Sequence, residues 1–185
     1  PYERLEVLWF DGIRAAARRD GEGLDTARAR LHEFLVASRI GDSLEWAPDQ
    51  SLAAFSLALD GRPEEAGRQL AALEWAIADT VAFRYTGWGP TRWSIGIHRL
   101  AASRWLATAG DTAQAVRLLR WVDNWIVSRG GTFANASTLF APISCLERAE
   151  FLAGQGSEAE ALLDLQTWLR QFDDPVPPLI ALRER

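Results

Sequence analysis

The sequence lacks most of the side chains on which covalent and metal chemistry in proteins depends. Its 185 residues include one cysteine and two histidines, and all 20 basic residues are arginines because lysine does not occur. Cys145 cannot form an internal disulfide, and it stands among apolar positions typical of a helix core. His32 and His98 do not have the spacing of zinc ligands. We therefore predict no metal site, no cofactor and no catalytic residue.

The motifs of common enzyme sites are also missing. The segment "YTGWGPTRW" contains two glycines but has neither a lysine nor the glycine order of a phosphate loop. No nucleophile elbow is present, although a Ser-His-Asp set stays open because the members of such a triad meet only in space. The excess of arginine suits a GC-rich genome, and recognition of carboxylates or phosphates is the alternative. We expect a protein that is not an enzyme.

Charge and hydrophobicity limit the partners of this chain. The net charge of -5 argues against binding of nucleic acid, which needs a basic patch. No apolar run is as long as a membrane span, so we predict no direct membrane insertion, and no signal peptide is visible. The chain starts at Pro1 without an initiator methionine, and we expect it to be a piece of a longer protein. We expect a soluble, cytoplasmic domain, or an extracytoplasmic one if that protein has an upstream membrane span.

Helical periodicity runs along the whole chain, and strand patterns are nearly absent. In "LLRWVDNWIV" the apolar residues recur at spacings of three and four, which is typical of one buried helix face. Glycines and prolines predict loops at "RYTGWGPTRW" and "SRGGTFANAS", and Gly21 and Gly23 predict a break between helices at about 2–19 and 24–39. These patterns predict an all-α protein of about eight helices.

One ten-residue frame, Leu-Ala-x-x-Gly-x-x-x-x-Ala, occurs three times. Its defining residues are Leu57, Gly61 and Ala66, then Leu106, Gly110 and Ala115, then Leu152, Gly156 and Ala161. We expect the glycine to close one helix in a left-handed conformation and the next residue to open another. The pairs Asp111–Gln114 and Ser157–Glu160 have capping-box spacing, and Pro63 suits a first helical position. Each copy therefore predicts a tight helix-turn-helix.

Further small and large residues recur around each frame. The small residues Ala54, Ser103 and Ala149 precede the frame alanine by twelve positions in their respective copies. This order of small and large apolar residues, over about 50–170, resembles the tetratricopeptide repeat, whose helix pairs pack closely. The copies recur after 49 and 46 residues (61 to 110, 110 to 156), which is longer than the family's repeat of about 34. The tryptophan and proline near the ends of that repeat are not in place.

An N-terminal pair also fits this order, with Ala15, Ala27, Leu31 and Phe34 in the repeat positions and Arg18 where a large apolar residue belongs. The resemblance implies an α-solenoid of antiparallel helix pairs in a single domain over 1–185. The predicted pairs are 2–40, 48–80, 93–128 and 140–172, followed by a tail or short helix at 176–185. The run that begins "STLFAPISCLERAEFL" also resembles the tails of some bacterial serine/threonine protein kinases and transcriptional activators. That second resemblance implies a regulatory or scaffolding part in signalling.

The resemblance also implies where a partner binds, because the first helix of each pair lines the concave face of a solenoid. The residues predicted to contact a protein or peptide segment there are Phe55, Ile97, Leu100, Arg104, Thr108 and Glu150. Ser51, Ala58, Ile143 and Leu146 are predicted to line the same groove. This mixed surface suits a peptide better than nucleic acid.

Two alternatives to the groove stay open. Most of the nine tryptophans fall on predicted helices, but Trp46, Trp88 and Trp93 fall in or beside predicted loops, where aromatic residues serve as binding anchors or cover helix ends. A small-molecule-sensing domain would hold its ligand near Trp88, Trp93 and His98. A self-assembling scaffold subunit, which is a homo-oligomer, would instead stack through the apolar end faces of incomplete repeats.

Overall fold

The computed structural model describes residues 2–38, 47–78, 89–120 and 134–171, and within these ranges the chain is helical with no strand. The eight helices of these ranges are α1 (Tyr2–Ala17), α2 (Gly21–Ala37), α3 (Ala47–Leu59), α4 (Pro63–Ala78), α5 (Gly89–Thr108), α6 (Thr112–Leu119), α7 (Ala134–Gly154) and α8 (Glu158–Gln171). The prediction of an all-α fold is confirmed. The predicted tail at 176–185 lies outside the described residues.

The chain divides into two compact units, Pro1–Leu118 and Leu119–Arg185. In the first unit the helices α1, α3 and α5 contact one another, α2 contacts both α1 and α3, and α4 contacts both α3 and α5. The second helices α2 and α4 therefore each pack against the first helix of their own pair and that of the next pair, as in a helical repeat. In the second unit α7 packs on α8. The extent of a single domain over 1–185 stays a prediction.

Each unit has its own apolar core. In the first unit the buried residues at its centre are Leu5, Trp9, Ala16, Leu24, Leu31, Leu35 and Leu52, from α1, α2 and α3. In the second unit Ala141 and Cys145 of α7 pack with Trp168 of α8. Cys145 thus has the role of a small core residue that its apolar surroundings predict.

The three copies of the frame fold as the same turn. Gly61, Gly110 and Gly156 have φ angles of 78°, 93° and 79°, in the left-handed region that glycine adopts without strain. The amide of the following residue donates to the carbonyl of the frame leucine: Arg62 to Leu57 at 2.9 Å, Asp111 to Leu106 at 2.8 Å and Ser157 to Leu152 at 2.9 Å. This is the Schellman pattern, and it confirms that the glycine ends the first helix of each pair.

The residue after each of these glycines opens the next helix. The frame alanines donate to its carbonyl: Ala66 to Arg62 at 3.1 Å, Ala115 to Asp111 at 3.1 Å and Ala161 to Ser157 at 3.0 Å. In α6 the carboxylate of Asp111 also accepts from the amide of Gln114 at 3.1 Å, which is half of the predicted capping box. Helix α4 begins at Pro63, as predicted.

A fourth turn of the same kind joins α1 to α2, but it has no glycine. Arg19 has a φ of 58°, and the amide of Asp20 donates to the carbonyl of Ala15 at 3.0 Å. Ala15 and Arg19 therefore occupy the places of the frame leucine and glycine. The predicted N-terminal fit, which put Arg18 in the leucine place, was three residues out of register. The polar Arg18 does not fit because it does not occupy the leucine place, and Leu24 stands where the other turns have the frame alanine.

We expect Arg19→Gly to stabilise the first unit by about 1 kcal/mol, because a side chain with a Cβ in the left-handed region costs about that much. Gly110→Ala is the matched control of opposite sign and should destabilise by about 1 kcal/mol. Urea unfolding followed by circular dichroism measures both changes. A loss of stability in Arg19→Gly would show that the arginine side chain contributes more than its backbone strain costs.

Three boundaries differ from the predictions. Helix α2 starts at Gly21, and Asp20 caps it by accepting from the amide of Gly23 at 2.8 Å, so these glycines lie in the first turn of a helix. Helix α5 starts at Gly89 within a predicted loop, since a proline at position 90 is tolerated in a first turn. Helix α7 starts at Ala134, also within a predicted loop, and continues through Pro142.

Candidate interaction surface

The structure distributes the predicted groove residues over all degrees of burial. Arg104, Thr108 and Glu150 are exposed, whereas Leu100 is buried. The hydroxyl of Thr108 donates to the carbonyl of Arg104 at 2.8 Å, within its own helix. The residues of intermediate burial are Phe55, Ala58, Ile97, Ile143 and Leu146. The exposed members are therefore the polar ones.

The apolar members of the predicted groove in the first unit take part in packing between helices. The ring of Phe55 in α3 meets the ring of Trp105 in α5 edge-on, with centroids 5.1 Å apart. Phe55 and Ile97 both pack against the core of the first unit. Helix α5 also contacts α1 directly, so the inner sides of these first helices meet one another. A Phe55→Ala variant would consequently change the packing of the helices as well as any surface.

Two residues predicted for different sites form one buried network. Ser51, predicted for the groove, is fully buried, and its Oγ lies 2.7 Å from Nε2 of His98. The indole Nε1–H of Trp9 donates to the same Oγ at 3.0 Å. The rings of Trp9 and His98 meet edge-on at 5.8 Å. The network ties together α1, α3 and α5, which each contribute one side chain.

The Ser51–His98 contact has the distance of a nucleophile and its base, but its surroundings favour a structural role. Both side chains are shielded from solvent, so a substrate cannot reach Ser51 Oγ without separating the helices. Burial lowers the pKa of His98 to about 3, and the ring is neutral at pH 7. A neutral ring can accept the hydroxyl proton of Ser51 while that oxygen accepts from Trp9, which satisfies all three groups.

The predicted loop anchors do not come together as a described site. His98 lies within α5 and faces the core. Trp93 also lies in α5, but its side chain is outside the described part of the chain, as are Trp46 and Trp88. The predicted ligand pocket at these residues stays a prediction.

A cleft of about 470 Å³ runs along the pair α1 and α2. Three arginines and three carboxylates line it: Asp11, Arg14, Arg18, Asp20, Glu22 and Arg30. These charges balance, and Arg14 forms an ion pair with Asp11 on its own helix. The cleft consequently offers no net charge that would select an anionic or a cationic ligand.

Helix α8 carries an apolar surface in contact with solvent. We call Leu162, Leu165 and Leu169 the leucine face; their exposed fractions are 55%, 37% and 47%. Spacings of three and four place them on one side of the helix. The face lies beside the buried side of α8, where Ala161, Asp164 and Trp168 pack towards α7.

The leucine face occupies positions that other second helices use to contact the next pair. Its members lie 6, 9 and 13 residues after the turn residue Gly156. The residues 9 and 13 after the turn residue Arg19 are Arg28 and His32 of α2, and both approach Asp49 of α3, at 3.9 Å and 4.0 Å. These contacts account for positions 9 and 13, which are those of Leu165 and Leu169, and leave position 6, which is that of Leu162.

In α4 the residue at position 6 contacts the first helix of the next pair. Gly67 lies 6 residues after Gly61, and a Cβ added to it would lie 2.9 Å from Cγ of Leu106 in α5. Leu70, which corresponds to Leu165, is fully buried. Each position of the leucine face thus corresponds to a contact position in at least one second helix of the first unit, although Asp25, at position 6 of α2, is exposed.

Leu163, also on α8, belongs to a different side of the helix. It is 58% exposed, and the corresponding residues in the other second helices, Thr26, Arg68 and Arg117, are exposed as well. Position 163 is therefore a solvent position of the repeat. It offers a matched control for each change made on the leucine face.

The sequence contained a pattern that indicates this surface, and the sequence-based prediction missed it. Leu165 fits the repeat as a core residue, like Leu70 and Leu119, and the frame alone does not show whether that position is covered. However, α8 has leucines at 162, 163, 165 and 169 in addition to its buried Trp168. A helix that packs on one partner only does not need so many apolar residues.

Neither the described residues nor the comparisons with known proteins assign a function to this chain. None of the described helices is both long and apolar enough to cross a membrane. Within the described ranges, no group of three histidine, cysteine or acidic residues is placed to hold a metal ion. Family models, curated proteins and solved structures give no match to this chain.

Proposed function

We propose that this chain is a tetratricopeptide-like interaction module without enzymatic activity, which binds protein helices through the leucine face of α8. The observation that carries the proposal is the exposure of three leucines at positions that pair with the next helix elsewhere in the repeat. Exposed apolar residues in a row on one helix favour a protein contact over contact with water.

The chemistry of the leucine face indicates the partner. Leucines at intervals of three and four on a helix pack well against the apolar side of an amphipathic helix. The arginine and glutamine near them, Arg170 and Gln166, are exposed and suit the polar rim of such a contact. A protein helix therefore fits better than nucleic acid, which the net charge of -5 disfavours.

The concave groove remains a second surface for the same kind of function. Arg104, Thr108 and Glu150 are its exposed members and would contact a peptide by polar interactions. Arg104→Glu and Glu150→Arg are suitable probes of the groove, because both side chains reach solvent.

A photo-crosslinking amino acid tests the two surfaces in the cells from which the protein comes. We would place p-benzoylphenylalanine at position 165 on the leucine face, at position 163 as the control on the same helix, and at position 104 in the groove. The proposal expects a discrete protein adduct at position 165 and none at position 163. Mass spectrometry of the adduct identifies the partner and the helix it contributes.

Each outcome of this experiment has a distinct meaning. An adduct at position 104 without one at position 165 would move the binding surface to the groove and overturn the assignment to α8. Equal adducts at positions 163 and 165 would indicate nonspecific contact. The absence of protein adducts at all three positions would contradict the proposed function.

A further inference from the structure

The first helix of the chain has an exposed surface that complements the leucine face. Val7 and Phe10 of α1 are 59% and 38% exposed. They lie 12 and 9 residues before the turn residue Arg19, as Asp49 and Leu52 lie before Gly61. The two pairs of positions are equivalent in the repeat. The residues that Asp49 and Leu52 contact therefore indicate what Val7 and Phe10 would contact.

Both of those residues of α3 contact the preceding pair. Asp49 lies 3.9 Å from Arg28 of α2. Leu52 is fully buried, and a Cβ added to Gly12 of α1 would lie 2.5 Å from its Cδ1. In α1 the same two positions carry exposed apolar side chains, and no described pair precedes that helix. We call Val7 and Phe10 the α1 face.

Val7 and two members of the leucine face have the positions of the two sides of one contact. Inside the first unit, α2 meets α3 at positions 9 and 13 after its turn, which are those of Leu165 and Leu169, and α3 contributes Asp49, which has the position of Val7. Leu52, which has the position of Phe10, meets the first helix α1. The internal contact at these positions pairs Arg28 with Asp49 and is polar. Val7, Leu165 and Leu169 are apolar where Asp49, Arg28 and His32 are polar, so these exposed sides match each other better than either matches the α2–α3 contact.

We propose that a second copy of this chain docks its α1 face on the leucine face of α8, so that one copy continues the helix-pair packing of the next. This inference rests on the proposed function and names the partner as the chain itself. The two faces differ, so the contact is heterologous, and copies add to one another into open chains or closed rings rather than into symmetric pairs.

Complementary single-face variants test the arrangement. Val7→Glu blocks the α1 face and leaves the leucine face intact, and Leu165→Glu does the reverse. Leu163→Glu adds the same charge to α8 at a solvent position. Sedimentation velocity and light scattering across a concentration series measure the mass of each protein. Circular dichroism checks that each variant is folded, and Leu165→Gln replaces any glutamate variant that is not.

The expected results are specific to head-to-tail docking. The wild-type chain and Leu163→Glu should both rise in mass with concentration above the monomer value of 20.6 kDa. Val7→Glu and Leu165→Glu should each stay monomeric, with association weakened by at least about tenfold. An equal mixture of those two variants should form a species of twice the monomer mass, because one supplies an intact leucine face and the other an intact α1 face.

Three outcomes would overturn the inference. They are a wild-type chain that stays monomeric, a mixture of the two variants that does not associate, and dimers formed by either variant alone, which would indicate a symmetric contact. A monomeric chain that still gives an adduct with another protein at position 165 would overturn self-docking and leave the proposed function in place. No adduct at any tested position would instead contradict the proposed function itself.

Discussion

Replacing Asp164 with asparagine is expected to destabilise the unit Leu119–Arg185 by about 3 kcal/mol. The Asp164 carboxylate accepts two hydrogen bonds from Arg148, from Nε at 2.7 Å and from Nη2 at 2.5 Å, and it joins α8 to α7. Both side chains are nearly buried, with 12% and 9% exposed. Asparagine keeps the shape of the side chain but removes the negative charge that attracts the Arg148 guanidinium in a site of low dielectric constant.

Hydrogen exchange of α7 and α8 amides measures this loss within the second unit. The matched control is Glu65→Gln, which breaks the exposed ion pair of Arg62 and Glu65 and should leave the stability nearly unchanged. The double variant Arg148→Met, Asp164→Leu should recover most of the stability, since it removes both buried charges together. A single Asp164→Asn variant that stays within about 0.5 kcal/mol of the wild type would show that the pair is solvated in solution.

Acid is expected to destabilise the first unit through His98. Burial lowers the pKa of His98 to about 3 in the folded chain, whereas an unfolded histidine has a value near 6.5. Between these values the unfolded state binds more protons than the folded state, so stability is complete above pH 6.5 and falls as the pH falls towards 3. The loss from pH 7 to pH 5 should be about 2 kcal/mol from this residue.

Urea unfolding at a series of pH values measures the effect, with His98→Gln as the test variant. Glutamine can hydrogen-bond to Ser51 and has no titrating group, so the slope of stability against pH should be smaller in this variant by the contribution of His98. His32→Gln controls for the loss of an imidazole as such, because the side chain of His32 is 55% exposed. Equal slopes in the wild type and His98→Gln between pH 7 and pH 5 would contradict burial of a neutral ring.

The turns of this fold could be predicted from the sequence because their determinants are local. A glycine at 61, 110 or 156 adopts a left-handed conformation at little cost, and the residues that complete the hydrogen bonds lie within five positions of it. The fourth turn was placed in the wrong register because Arg19 adopts that conformation without being a glycine. The position of this turn is defined by its backbone hydrogen bonds and by burial, and neither can be read from the residue types.

The network of Trp9, Ser51 and His98 could not be predicted in the same way. Ser51 lies 42 residues from Trp9 and 47 residues from His98 along the chain, and only the packing of three helices brings them together. The sequence pattern predicted that Ser51 lines the concave groove, whereas the structure buries it between α1, α3 and α5. It could not show that α1 and α5 meet there and enclose the hydroxyl.

The exposure of the leucine face is a second feature that could not be predicted from the sequence. The repeat pattern predicts an apolar packing residue at position 165, as at Leu70 in α4, but Leu70 is fully buried whereas Leu165 is 37% exposed. Whether a contact position is covered depends on which helix follows, and a repeat pattern does not contain that information. The exposure of Leu165 therefore could not be predicted from the repeat pattern.

Solvent access to leucine methyl groups tests most directly whether the leucine face is uncovered. We would label these methyls with ¹³C in the Val7→Glu variant, which leaves α8 unchanged, and add a soluble gadolinium chelate. The methyls of Leu165 should relax as strongly as those of Leu163, whereas those of Leu70 and Leu119, at the same position of the repeat, should be protected because both residues are fully buried. Methyls of Leu165 that are as protected as those of Leu70 in the monomer would contradict an exposed docking face on α8.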